Sequence, residues 1–109
     1  MASDRPVEDT IALMTAASIE NCELEPREFM LVRIAALVAS GAPALSYLAN
    51  AGTAADLGIT LEDVQDVLVA VAPIAGGPRT VEAAGNIARA LGFAVAVAEA
   101  ELEAQLDEG

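Results

Sequence analysis

Ser46 and Asn50 stand four residues apart with Tyr47 beside the first, and Arg33 lies among Leu31, Val32, Ile34 and Ala35. On a helix, the four-residue spacing puts a hydroxyl and an amide on one face, where they can orient a polar ligand. An arginine in an apolar stretch can grip a carboxylate through two parallel hydrogen bonds. Each group also has a plainer use, and for both the plainer use is the stronger expectation. Arg33 can snorkel or pair with an acid on a neighbouring helix or subunit, and Ser46 and Asn50 can form a polar stripe facing solvent or a subunit interface. With no base in reach, Ser46 is not expected to act as a nucleophile.

Other chemistries are closed by composition. The chain has no histidine and one cysteine, which removes imidazole acid–base catalysis and any dithiol couple. Cys22 lies in a polar connection without a nearby lysine, histidine or second cysteine, and reads as incidental. Arg79 follows Gly76-Gly77-Pro78 at the start of a helix, where backbone N–H groups help bind anions, although an exposed or interface arginine is the simpler reading. The turn lacks the G-x-x-x-x-G-K pattern of a nucleotide loop. Glu62, Asp63 and Asp66 are expected to favour a helix N-terminus and not to bind a metal; no metal and no cofactor are expected. Met14, Phe29, Met30 and Phe93 read as core filling.

The 109 residues suit one domain. Hydrophobic residues make up 55% of them, more than a small domain can bury by itself, so burial against further copies of the chain is expected. The uncharged run from Ile34 to Ala55 is interrupted by Gly41, Pro43, Ser46, Asn50 and Gly52 and has no flanking basic cluster, so a membrane span is not expected. Seventeen acidic against five basic residues give a formal charge of −12, which repels nucleic acid and anionic lipid alike. Met1 to Glu8 has no apolar core of the kind a signal peptide needs, so a cytoplasmic location is expected.

The elements that position these residues read as helices. Val7, Ile11, Met14 and Ser18 recur at helical spacing in a first helix from Pro6 to Ile19. A second starts around Glu23 to Pro26 and runs to Gly41, and a third opens at Pro43 and stops at Gly58. Thr60 and Asp63 form a capping box ahead of a fourth, carrying Val64, Val67, Leu68 and Val71. Pro78 restarts a fifth, for which Gly92 reads as the stop, and from Phe93 a sixth ends in an acidic tail expected to fray. No hairpin signal or β-branched alternation marks a strand, so the expectation is an all-α chain of about six antiparallel helices.

Three segments carry a family likeness: Leu24 to Leu37 followed by Ser40-Gly41, the helix from Leu57 to Leu68, and Val69 to Arg79 with its Gly-rich turn. Together they resemble the carboxymuconolactone decarboxylase family, which includes alkylhydroperoxidase D-like proteins, over roughly Leu24 to Leu91. The resemblance implies an all-α fold that assembles as trimers or hexamers. Redox members carry C-x-x-C-x-x-x-H at the start of the third helix, with a glutamate upstream. If Gly41 anchors the match, those positions fall on Ala42, Leu45 and Ala49, with Met30 in place of the glutamate. If Gly58 anchors it, they fall on Pro43, Ser46 and Asn50, with Leu31 upstream. Neither register leaves a thiol or an imidazole.

The expectation is therefore a divergent, non-redox homo-oligomer whose family site has become an apolar pocket near Met30, Ala42, Leu45 and Ala49. It would bind a small hydrophobic molecule or serve assembly. The alternative is a decarboxylase- or lyase-type enzyme acting on a small carboxylate through Arg33, Ser46, Tyr47 and Asn50, and a peroxidase working through Cys22 alone ranks below both.

Overall fold

Proline and glycine punctuate the chain. The computed structural model describes residues 3–108, apart from the side chains of Phe93 and Glu108, and its elements are all helical. They are α1 (Pro6–Asn21), α2 (Pro26–Ser40), α3 (Ala44–Asp56), α4 (Leu61–Ala75) and α5 (Gly77–Glu108). Pro6 and Pro26 open α1 and α2, where a missing N–H costs nothing. Gly41 ends α2 at φ 74°, and the N–H of Ala42 returns to the carbonyl of Leu37 at 3.0 Å. Gly58, at φ 75°, serves α3 in the same way. The expected capping box starts α4: Asp63 N–H donates to Thr60 Oγ1 at 3.1 Å, and Thr60 N–H donates to Asp63 Oδ2 at 2.9 Å.

One expected boundary is absent. Gly92 does not end a helix, and α5 continues through it to Glu108, so the described residues form five helices where about six were expected. The difference between Gly92 and the other glycines lies one or two residues downstream. Gly41 is followed by Pro43, Gly58 by the capping residue Thr60, and Gly76 by Pro78, whereas Phe93 to Ala96 offers neither a proline nor a cap. A lone glycine costs an interior turn only about 1 kcal/mol, which does not by itself break the helix. The acidic tail expected to fray is helical as far as Glu108.

The core lies where α2, α3 and α5 meet. Val38 is fully buried among Tyr47, Ala83, Ile87 and Ala90, with Leu37, Leu48, Val64 and Leu68 packed around them. Alanines at 83 and 90 leave α5 a shallow surface on which α3 can lie close. Two polar ties fix α5 to the end of α2. Arg79 Nη1 donates to the carbonyl of Ala39 at 2.8 Å, and buried Asn86 donates through Nδ2 to the carbonyl of Ala42 at 3.3 Å. A cation at the C-terminal end of a helix also suits its dipole. Arg79 thus serves a helix end within the chain.

Helix α1 packs against none of the other four. It has no buried residue, and Val7, Ile11, Leu13, Met14 and Ile19 are all exposed. The radius of gyration is 16.1 Å, against about 13 Å for a compact chain of this length. The chain exposes 7828 Å², where a compact monomer of 11.1 kDa exposes about 5,700 Å², an excess of about 2,100 Å². By length and composition α5 is long and apolar enough to cross a membrane, a test that core helices of soluble proteins also pass.

Candidate functional site

A broad groove of about 870 Å³ opens between α1 and the pair α2 and α3. It gathers several residues singled out in the sequence: Met30 and Arg33 from α2, and Ser46, Ala49 and Asn50 from α3. Residues 46, 49 and 50 share a helix face, so the groove draws on both possible registers of the family motif. Met30 is buried at its base. The helix α1 supplies Ile11, Thr15 and Ile19, and Cys22 at its end is half-buried in the same wall.

Arg33 is the cation of this groove. Its guanidinium carbon lies 4.6 Å from the ring centroid of Phe29, a stacking distance at which the ring's negative face attracts the charge. No acid pairs with Arg33 among the described residues, whose one ion pair joins Arg27 to Asp63 at 2.8 Å. Of the two plainer uses expected for Arg33, pairing with an acid on a neighbouring helix is not seen among the described residues. Arg33 is held along its flank, with guanidinium N–H donors left for a further group. Asn50 donates through Nδ2 to the carbonyl of Ser46 at 2.8 Å, which fixes the amide and leaves its Oδ1 as an acceptor.

The rest of the expected site lies elsewhere. Leu45 is 72% exposed and Ala42 packs against the core, and neither lines the groove. Pro43 is the exposed N-cap of α3. Tyr47 does not join Ser46 and Asn50 on the groove wall, because successive residues are about 100° apart around a helix, and it turns into the core instead. Of the expected core residues, Met30 is buried, Phe29 half-buried and Met14 exposed, while the side chain of Phe93 lies outside the described residues. The sequence reading missed the contribution of α1, for which a weak signal existed in the apolar residues spread all round that helix.

Of the acids near the start of α4, Asp63 is committed to capping. The Thr60 N–H, and after it the Arg27 guanidinium, hold its carboxyl below the usual carboxylate range. Glu62 and Asp66 are exposed.

Burial raises the Tyr47 phenol above its ordinary value. A raised phenol favours the folded state while it stays neutral, and that contribution fades as pH rises from the ordinary value, about 10, through the folded one. The chain's one tyrosine should therefore titrate, by ultraviolet absorbance, at higher pH than free tyrosine. Tyr47→Phe should extend the alkaline limit of the folded state, and a normal titration midpoint would contradict the buried placement.

Residues 6–90, more than half of the chain, match the model of the carboxymuconolactone decarboxylase family. No curated protein and no solved structure matches the chain.

Proposed function

This chain belongs to the carboxymuconolactone decarboxylase family, and from that membership we propose that it is a non-redox, homo-oligomeric member that binds a small molecule in the groove between α1, α2 and α3. The observation that carries this reading is the groove itself, which has mainly apolar walls, one arginine without an acidic partner among the described residues, and no histidine. Apolar walls with a few placed polar groups are the usual form of a small-molecule site. The surface excess of about 2,100 Å² per chain is on the scale of obligate subunit interfaces and supports assembly, as a trimer or hexamer by analogy with the family. A pure assembly role would leave the groove empty.

Arg33 favours one specific alternative, an enzyme of the decarboxylase or lyase type acting on a small carboxylate. Arg33 would hold the carboxylate, and Ser46 and Asn50 would orient the remainder. Such a step also needs a proton donor, and no imidazole is present to supply one.

Light scattering and native mass spectrometry on the purified protein test the main reading. A trimeric or hexameric mass carrying a retained small molecule is the expected result, and a ligand-free monomer would sink the proposal. Benzoate, titrated calorimetrically, probes the carboxylate alternative. Arg33→Met should weaken it about tenfold or more, the scale of a charge-assisted pair. Equal binding by both forms removes Arg33 from the site.

A further inference from the structure

Seventeen acidic residues are spread along this chain, yet none of those described lines the groove between α1, α2 and α3. The one charged residue of its lining is Arg33, half-buried and without an acidic partner among the described residues. On a chain of net charge −12, the groove thus offers an anion a cation with no carboxylate in the lining to compete for it.

The apolar lining beside Arg33 has a direction and a length. Upstream of Arg33, α2 presents Phe29 and Pro26 to the groove, and Leu24 and Cys22 of the preceding connection and Ile19 of α1 continue the wall. Arg33 and Pro26 stand seven residues apart on one face of α2, so this arm runs for about 10 Å at about 1.5 Å per residue. An extended alkyl chain, with C–C bonds of about 1.5 Å, covers that length in about eight carbons. Leu24 and Ile19 are 46% and 57% exposed, so a tail laid along the arm removes from water apolar surface that the chain itself leaves wet. A closed space of about 150 Å³ already takes benzene, and the groove's volume of about 870 Å³ has room for much more than an aryl carboxylate.

We propose that the ligand of the groove is an amphipathic monocarboxylate with an unbranched alkyl tail, a medium-chain fatty acid of about nine or ten carbons in all. The carboxylate accepts from the Arg33 guanidinium, and the tail lies along Phe29, Pro26, Leu24 and Ile19. Phe29 serves both parts: its ring, 4.6 Å from the guanidinium carbon, steadies the cation along one flank and leaves N–H edges for the carboxylate, while carrying the first methylenes. This rests on the reading that the groove binds a small molecule, and adds the class and length of that molecule.

Calorimetric titration of the full chain with hexanoate, octanoate, decanoate, dodecanoate and decanol is the test. Affinity should rise about two- to fourfold per added methylene as far as decanoate and level off at dodecanoate. Decanoate should bind about tenfold tighter than decanol, and Arg33→Met should remove that preference while decanol still binds. Leu24→Glu, a change in the exposed connection, should weaken decanoate about tenfold or more without touching Arg33. Bound decanoate should also slow alkylation of Cys22 by iodoacetamide. Failure of every probe, decanol included, overturns the groove as a small-molecule site and this inference with it. A preference that is absent or survives Arg33→Met, an affinity that ignores chain length or still climbs at dodecanoate, unchanged binding in Leu24→Glu, or unslowed alkylation of Cys22 overturns this inference and leaves the groove reading standing.

Discussion

Chains carrying Val7→Glu and Met14→Glu together are expected to dissociate into monomers that keep most of their helix content. Both side chains are 66% exposed on α1, which packs against none of the other described helices. If another copy covers that helix, each substitution removes about 1.5–3 kcal/mol of apolar burial and adds a carboxylate to a dry contact. The pair would then weaken assembly by three orders of magnitude or more. The α2–α5 unit should survive, because α1 contributes no buried residue to it. Light-scattering mass at matched protein concentration, read beside circular dichroism, checks this. An unchanged mass would show that α1 is not the assembly surface, and neither substitution alters a residue lining the groove.

Val38→Ala is expected to cost about 2–3 kcal/mol, the largest loss among small truncations of the core. Among the described residues Val38 is the one side chain with 0% exposure, and it sits where α2 meets Tyr47 of α3 and Ala83, Ile87 and Ala90 of α5. Two of these four neighbours are alanines, which cannot swing in to fill the gap, so the cavity term adds to the lost transfer energy. The melting temperature should fall by roughly 10 °C, read at fixed protein concentration because assembly also stabilises the fold. A fall of a degree or two would mean that the three helices close over the missing methyl groups.

Why some elements were legible and others were not comes down to local against distant information. The Thr60–Asp63 box and the glycines at 41, 58 and 76 act within a few residues, and each could be read directly. Gly92 looked the same as these in isolation; its role depended on the absence of a proline or cap just after it. Pro43 marked the start of α3 in the sequence, and Tyr47, adjacent to Ser46, is carried to the core by a single residue's rotation around the helix. The sequence divided Arg33, Ser46 and Asn50 from Met30 and Ala49 as alternative sites, and the groove between α1, α2 and α3 is what brings the five together. The remaining groove wall was not legible, since periodicity records that α1 is apolar without recording which surface covers it.

The unbroken run of α5 beyond Gly92 has an electrostatic consequence. Glu99, Glu103 and Asp107 recur every fourth residue on one face, at the negative end of a 32-residue helix, where like charges and the dipole oppose the helix together. Because the chain as a whole carries −12, two approaching copies meet as similarly charged polyelectrolytes before any apolar surface can touch. Counter-ions shorten the reach of that repulsion to about 10 Å at 0.1 M salt. Self-association of this chain should accordingly quicken as ionic strength rises, the reverse of encounters driven by opposite charge.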